Sequence, residues 1–384
     1  MKLFYQYSRH PLKRIGFTVM TALILSLINL SGGCEAYNKD DTAAAIDRKE
    51  LLTLYVDAVI VPQYKSLADA MNTLKTKTTE LCTNPNDSNL ASVKNAWQDG
   101  KIAWIRTEGH NFGPIADQRL DGVIHRWPLR VNDIDNFFNA GDLSLTALEK
   151  QGALTRGLPP FEYMLYGADG NLSLGAFTAG GDRCIYLQSL TSDLVTNTTK
   201  VVSAWEAEGD NYRDAFINAG TNTTSFNRQQ QALELVINEL IHTIRFMEDS
   251  KLASPMGKRN KGIAQPGDVE SPYSKLSGTF LAANFSALRT LFLGGDSKQK
   301  NSIADEIATS NQALYEEILA AITAAETALT AALADDQTIK DIVSSDSAKL
   351  DPVFAAVKNL LRLFAADVAG HFAVTPTFSD NDGD

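Results

Sequence analysis

Cysteine and histidine, the side chains most used to bind zinc, are scarce in this 384-residue chain, which has three cysteines and five histidines. One histidine, His10, lies in the N-terminal leader, so few remain for a multi-histidine metal site. The chain also lacks the H-E-x-x-H, G-x-S-x-G, phosphate-loop and dinucleotide-binding motifs. No serine or cysteine has an obvious base beside it. The sequence therefore gives no support to the enzyme classes that these motifs define.

Basic residues are scarce relative to acidic ones, with 35 Lys+Arg against 46 Asp+Glu. The first 33 residues hold four of the basic residues and no acid, which leaves 31 against 46 and a net charge of −15 in the rest. Nucleic-acid binding needs clustered lysine and arginine to neutralise phosphates. We therefore expect no nucleic-acid partner.

Long apolar runs are absent except near the N-terminus, where Ile15 to Leu30 follows a basic segment. This run is shorter than the roughly 20 residues that a membrane-spanning helix needs. A basic segment followed by a short apolar run is typical of a signal peptide. We predict an exported protein with a signal peptide over residues 1–33 and a tether over residues 34–42.

Cys34 directly follows Ser31-Gly32-Gly33, a pattern that resembles a bacterial lipobox. The alternative is an ordinary signal peptide followed by a chance cysteine. Lipidation of Cys34 would make the membrane a partner, because each buried CH₂ of an acyl chain contributes about 0.8 kcal/mol. Glu35, rather than aspartate, follows the cysteine, which in a Gram-negative cell favours the outer membrane. We expect a body anchored there, facing the periplasm or the cell surface.

Strand signals are scarce, and apolar residues repeat at helical spacing along most of the chain. One stripe is formed by Leu233, Val236, Ile237, Leu240, Ile241 and Ile244, and another by Phe354, Val357, Leu361, Phe364 and Val368. The sequence predicts an all-α fold of two packed helical bundles, preceded by the signal peptide. The first bundle spans residues 43–219, and the second spans residues 226–384 and ends in an acidic tail.

Proline and glycine indicate where this helical pattern is interrupted. Pro62 should kink or split the first long helix. Residues 109–157 are dense in Gly, Pro and Asp and are expected to be irregular, and residues 254–272 should form a loop.

With Cys34 lipidated, Cys82 and Cys184 are the remaining cysteines. An oxidising compartment favours a disulfide between them. Two unrelated buried thiols are the alternative.

Residues 156–167, RGLPPFEYMLYG, resemble the G-x-H-x-x-E signature of the imelysin family, which is classed among the metallopeptidases. Gly157 and Glu162 fit the signature, whereas Pro159 takes the place of its histidine. Five further segments resemble the family in the same order: residues 97–114, 119–135, 183–194, 270–278 and 378–384. The resemblance spans roughly residues 45–384 and implies two helical bundles and a link to iron regulation and uptake.

The signature implies a metal site that this chain has altered. Histidine and glutamate three residues apart on a helix can present two ligands to one ion, but a proline side chain has no donor atom. Pro159 is instead suited to the first turn of a helix, where its missing N–H is no loss. Glu162 then has two interpretations. It either caps its own helix or pairs with an arginine, or it is a retained ligand-binding carboxylate.

Polar residues around the W-P pair of the first half form a second candidate site. Arg126 could bind an anion and Trp127 could form an apolar wall. We predict a ligand site at the junction of the two bundles, lined by Glu108, His110, Asp121, Arg126, Trp127, Arg156, Gly157, Pro159 and Glu162.

Glu239 and His242 form a single Glu-x-x-His pair. Di-iron helical bundles use this pair twice, together with two further glutamates. A polar bundle face with internal salt bridges is the simpler interpretation. If a metal binds, Glu162 and His242 are the candidate ligands, and a divalent metal or iron is the candidate ion.

The resulting hypothesis is a lipid-anchored, non-catalytic binding or accessory protein linked to iron or metal uptake. Its ligand would be a small molecule, a metal or a peptide. The alternative is a metal-dependent peptidase whose ligands lie outside the altered signature, for example Glu162 with His110 or His242.

Overall fold

The computed structural model describes residues 48–221 and 225–377, and every regular element within these ranges is helical. The predicted all-α fold class is confirmed. The predicted leader, Cys34, the tether and residues 378–384 lie outside the described residues. The described residues form one compact unit. The boundary between two bundles near residues 219–226 stays a prediction.

The first part of the chain contains three helices longer than 20 residues, connected by shorter ones. Its α-helices are α1 (Lys49–Leu54), α2 (Val61–Thr83), α3 (Asp87–Thr107), α4 (Pro114–Asp117), α5 (Leu120–Ile124), α6 (Val131–Asn139), α7 (Leu145–Leu148), α8 (Leu158–Tyr166), α9 (Asp182–Trp205) and α10 (Tyr212–Ile217). Helix α2 packs against both α3 and α9.

The second part is built from α11 (Gln229–Phe246), α12 (Ser277–Leu293), α13 (Ile303–Ser310), α14 (Gln312–Ala332), α15 (Ile339–Asp346), α16 (Asp351–Arg362) and α17 (Ala369–His371). Helix α14 packs against α16, and α12 packs against α3 of the first part. Among the described residues, no helix is both long and apolar enough to cross a membrane.

Residues 109–157 are more ordered than the sequence predicts, because four short helices, α4 to α7, lie there. Helix α6 buries Ile134 and Phe137, which are three residues apart and therefore share one face. The flanking glycines and prolines hide such short helices from a search for long apolar stripes. In contrast, residues 254–272 form the predicted loop, with one 3₁₀ turn at Pro266–Asp268.

Pro62 lies in the first turn of α2 and is preceded by a π-helical segment, Tyr55–Ile60. Proline removes one helical N–H and crowds the carbonyl four residues earlier, which the wider π turn accommodates. The kink or break predicted at Pro62 is therefore a π-helical segment, and the helix continues through it.

The predicted apolar stripe of α11 is confirmed, because all six of its residues are buried. In the last long helix, Val357, Phe364 and Val368 are buried, whereas Phe354 and Leu361 are only partly buried. A π-helical segment, Leu363–Val368, shifts the buried face there, which a strict seven-residue repeat does not anticipate.

Candidate functional site

The signature segment forms the start of helix α8, with Pro159 buried in the first turn as the sequence predicts. Gly157 precedes the helix at φ +87°, in the left-handed region that favours glycine. A Cβ atom at Gly157 would lie 2.3 Å from the carbonyl oxygen of Ile124. Glycine therefore lets helix α8 pack directly against the end of α5.

Glu162 joins helix α8 to the loop before α12. Its Oε1 accepts hydrogen bonds from the backbone N–H groups of Tyr273 at 3.1 Å and Ser274 at 2.7 Å. The side chain is 3% exposed. Burial raises the pKa of Glu162 to about 7, although the bonds from Ser274 and Tyr273 act in the opposite direction.

The space around Pro159 and Glu162 is nearly filled. The remaining void is about 10 Å³, at the lower limit for a single water molecule. Lys101, His125 and Glu270 also line it. The signature segment is therefore a closed joint between two parts of the fold, with no room for a ligand beside it.

A buried cluster of ionisable side chains lies next to this joint. Lys101 donates to Glu270 Oε1 at 2.7 Å and to His125 Nε2. Lys251 contacts the other oxygen of Glu270 at 3.1 Å and Glu108 Oε2 at 3.0 Å. Glu270 is therefore shared by two ammonium groups, one from α3 and one from the π-helical segment Met247–Ala253.

Asn284 of α12 completes the cluster. Its side-chain oxygen accepts from Lys251 at 2.8 Å, and its side-chain nitrogen donates to Glu108 Oε2 at 2.7 Å. Buried charges are costly unless they are paired and hydrogen-bonded. Every carboxylate and ammonium group of the cluster has at least one such partner.

The protonation states follow from this arrangement. Burial opposes ionisation of Glu270, but Lys101 and Lys251 hold its pKa well below the usual range. Burial likewise opposes the charge on Lys251, yet Glu108 and Glu270 raise its pKa. Burial lowers the pKa of Lys101, and Glu270 counteracts that effect. Because the pKa of Glu270 is held so low, we take the Lys101–Glu270 pair as ionised at neutral pH.

His125 is neutral in this cluster. Burial, and then the neighbouring Lys101, lower its pKa well below the usual range. A neutral ring can accept the Lys101 hydrogen bond through Nε2, which assigns the ring proton to Nδ1. The formal charges of Glu108, Glu270, Lys101 and Lys251 therefore cancel.

A cleft of about 580 Å³ opens above the cluster. Five of the sequence-predicted residues line it together: Glu108, Asp121, Arg126, Trp127 and His242. Its walls also include Trp104, Asn111, His125, Glu239, Phe246, Asp249, Arg259 and Asp268. The cleft combines aromatic surface with both acidic and basic groups, which is the composition of a site for a polar organic ligand.

Trp127 connects two segments that form the cleft wall. Its indole N–H donates to the carbonyl oxygen of Val269 at 3.3 Å, and its ring meets Phe246 edge to face at 5.9 Å. Trp104 stacks on His125 and has no hydrogen-bond partner for its indole N–H among the described residues. A ligand atom in the cleft could therefore satisfy an otherwise unpaired buried donor.

Glu239 and His242 form a pair on the cleft wall, with His242 Nδ1 3.3 Å from Glu239 Oε1. The hydrogen bond to Glu239 raises the pKa of His242, while burial raises that of Glu239. This is the internal polar pair that the sequence offered as the simpler interpretation of the motif.

The remaining predicted residues lie apart from the cleft. Arg156 forms a bidentate pair with Asp193 of α9, at 2.9 and 2.5 Å. His110 is buried against Tyr64, and neither ring nitrogen has a partner among the described residues. Burial lowers the pKa of His110 to about 3. Gly157, Pro159 and Glu162 belong to the closed joint, with Trp127 and His125 lying between joint and cleft.

The metal that the signature implies does not fit at helix α8, because Pro159 has no donor atom and Glu162 is bonded to backbone N–H groups. Within residues 48–221 and 225–377, one group of three donors comes within metal reach: Glu108, His125 and Glu270. Neither Glu162 nor His242 belongs to it. All three donors are bonded to lysine ammonium groups instead.

Sequence reasoning missed Lys101, Lys251 and Glu270. One signal was present for Lys101, which lies four residues after Trp97 and four before Ile105. That spacing places a charged side chain on an apolar helix face, and such a lysine must find a buried partner. No comparable pattern identifies the partner, because Glu270 is 169 residues away along the chain.

Cys82 near the end of α2 and Cys184 near the start of α9 are joined by a disulfide. The two helices pack along their lengths. The bond therefore fixes the scaffold that carries α3 and α8, and lies outside the residues that line the cleft.

Fold and site together define a helical protein with a mixed-charge cleft over a buried, internally neutral ion cluster. The chain belongs to the imelysin family, whose model matches residues 60–363. The resemblance read from the sequence is confirmed.

Two kinds of relative support this assignment. Iron-regulated protein A of Synechococcus elongatus is 22% identical over 287 residues, which cover 74% of this chain and 72% of that protein. A crystal structure from Parabacteroides distasonis, described as an iron-regulated protein A precursor, superposes with a TM-score of 0.73 at 19% identity, covering 85% of this chain and 95% of that one. An imelysin-like protein from Psychrobacter arcticum gives a TM-score of 0.70 at 18% identity, covering 86% and 97%. These structures share the fold.

The raised pKa of Glu162 predicts a stability that falls as pH rises. Below about pH 4.5, the carboxyl is protonated in both folded and unfolded chains, whereas between 4.5 and 7 only the folded state keeps the proton. The lost stability should reach about 3 kcal/mol above pH 7, at 1.36 kcal/mol per pKa unit. Glu162→Gln keeps the acceptor oxygen without the charge.

Urea unfolding of both proteins between pH 4.5 and 8 measures this effect. We expect equal stability at the acidic end and a variant that is more stable at pH 8. A variant that is less stable at pH 8 would mean that the two backbone N–H bonds outweigh the cost of burying the charge.

Proposed function

We propose that this protein is a lipid-anchored, non-catalytic binding protein of the imelysin family, exported to the outer membrane and linked to iron or other metal uptake. One observation carries the non-catalytic part. The signature's Glu162 holds two backbone N–H groups, and Pro159 offers no second ligand. The signature segment thus serves to join two parts of the fold. The link to iron is supported by the name of the Synechococcus relative.

The cleft is the proposed ligand site. Its volume of about 580 Å³ is that of a small-molecule pocket. Arg126 supplies a positive charge, Asp121 and Asp268 supply negative ones, and Trp127 and Phe246 supply apolar surface. A ligand with both polar groups and an apolar body, such as a metal chelate or a short peptide, matches this composition.

Hydrolysis assays test the absence of catalysis. The mature protein is incubated with fluorescent casein and a peptide library, with added zinc or with a chelator. We expect no hydrolysis under either condition. Hydrolysis that the chelator abolishes would contradict the proposal.

Tryptophan fluorescence tests the cleft, since Trp104 and Trp127 line it whereas Trp97 and Trp205 do not. Titration with ferric citrate should change the emission in a saturable way. The change should be smaller in Trp127→Phe, which keeps an aromatic ring and loses the indole N–H. An identical response in the variant would place the binding elsewhere.

A metal-dependent peptidase remains the second candidate function. The observation that favours it is the proximity of Glu108, His125 and Glu270, which are donors of the type found in catalytic zinc sites. The ligands would then lie outside the signature, as in the peptidase alternative drawn from the sequence. They would differ from the example given there, Glu162 with His110 or His242.

Replacing Cys34 by serine should release the protein from membranes, because the lipid on this cysteine is the proposed anchor. Fractionation of cells that express either form measures the effect. Incorporation of a lipid label into the native protein, recovered in the detergent-soluble fraction, is the control. Equal membrane retention of Cys34→Ser would show that the anchor lies elsewhere.

A further inference from the structure

The Glu108–His125–Glu270 group has the composition of a metal site. It offers two carboxylate oxygens and one imidazole nitrogen, all within 4.8 Å of one another. Zinc and iron bind such mixtures of oxygen and nitrogen donors. His125 Nε2 lies 3.8 Å from Glu270 Oε1, a separation that two ligands of one ion can have.

The positions between these donors are taken by ammonium groups. Lys101 Nζ contacts both His125 Nε2 and Glu270 Oε1, while Lys251 Nζ contacts both Glu270 Oε2 and Glu108 Oε2. Each lysine therefore bridges two of the three donors, as a bound ion would. Lys101 is 1% exposed and Lys251 is 4% exposed, so both lysine side chains are buried and depend on these partners rather than on solvent.

We propose that Lys101 and Lys251 are built-in cations that hold this donor group in place of a metal ion and so exclude metals from the base of the cleft. The two positive charges match those of a divalent ion and balance the two carboxylates. A metal could enter only by separating an ammonium group from its carboxylate partners, and a buried charge left unpaired is strongly unfavourable.

This inference rests on the proposed function and deepens it, because it gives a structural reason why the one described group of three metal donors would not hold a catalytic metal. The two can fail separately. Lack of hydrolysis is measured with the native protein and peptide substrates, whereas the role of the lysines is measured by metal binding.

Removing both lysine charges should create a metal site. Lys101→Met and Lys251→Met keep unbranched side chains of similar length and leave Glu108, Glu270 and His125 with a net charge of −2. Titration calorimetry with zinc, and the visible spectrum with cobalt(II), measure the binding of this double variant. We expect one equivalent bound at least 100-fold more tightly than by the native protein.

His125→Ala in the double-variant background is the matched control and should abolish the gain. Lys200→Met with Lys298→Met, which removes two surface lysines, should leave metal binding as in the native protein. A folded double variant that binds zinc no better than the native protein would overturn the inference.

The native protein supplies an independent test, which applies even if the double variant fails to fold. The native protein and His125→Ala should bind zinc equally weakly, because in the native protein the ammonium groups already occupy the three donors. One equivalent of zinc bound by the native protein and lost in His125→Ala would overturn the inference. A double variant that unfolds without metal and refolds with zinc would support it.

Discussion

Replacing Glu270 by glutamine should lower the free energy of unfolding by about 3–5 kcal/mol, the cost of breaking a buried ion pair by removing one partner. Both oxygens of Glu270 are used, one by Lys101 and the other by Lys251. The neutral amide would leave two buried ammonium groups facing Glu108 and a neutral His125. Urea unfolding at pH 7 measures the loss.

Glu326→Gln is the matched control, since it neutralises the partner of Arg289 in a pair of similar length that is partly exposed to solvent. Exposed pairs contribute at most about 1 kcal/mol. A loss for Glu270→Gln no larger than that of the control would mean that the buried cluster is tolerant of charge removal, and the internal-cation account would lose its energetic basis.

Loss of the Cys82–Cys184 disulfide should destabilise the protein by about 4–5 kcal/mol, because the bond closes a loop of 102 residues. In the chain-entropy account, the bond restricts the unfolded chain more than the folded one. Unfolding of the native protein with and without reductant measures the effect.

The double variant Cys82→Ser with Cys184→Ser controls for the chemistry of the reductant. It should match the reduced native protein and show no further change when reductant is added. Free reaction of both thiols with a labelling reagent in folded, unreduced protein would show that the cysteines are not paired.

The helical scaffold was predictable from the sequence because its signal is local. The stripe of α11 repeats every three or four residues, so one face of the helix is apolar regardless of the rest of the chain. Short helices such as α6 were missed, since a single buried pair, Ile134 and Phe137, makes too little periodicity to detect.

The candidate site was predictable only in part. Residues around Trp127 were found because glycine, proline and charged residues cluster within a short stretch. The ion cluster was missed as a unit because its members come from distant parts of the chain, and pairing across such separations leaves no local pattern. Arg156 shows the opposite error. The sequence predicted it as a ligand-site residue because it lies beside the signature, but in the fold it pairs with Asp193.

Pro159 had the clearest consequence. The sequence shows that Pro159 stands where the signature has its histidine, and the structure shows how the remaining glutamate is bonded. Glu162 is directed to the backbone of Tyr273 and Ser274, and the lysine pair balances the nearby carboxylates. Charges that a metal would neutralise are thus neutralised by the chain itself.

The most direct test measures metal content and peptide hydrolysis on one sample of the purified protein. The protein is loaded with zinc, desalted, assayed for bound metal and then incubated with the peptide library. The account predicts no retained zinc and no hydrolysis. One retained equivalent of zinc together with hydrolysis, both lost in His125→Ala, would contradict it.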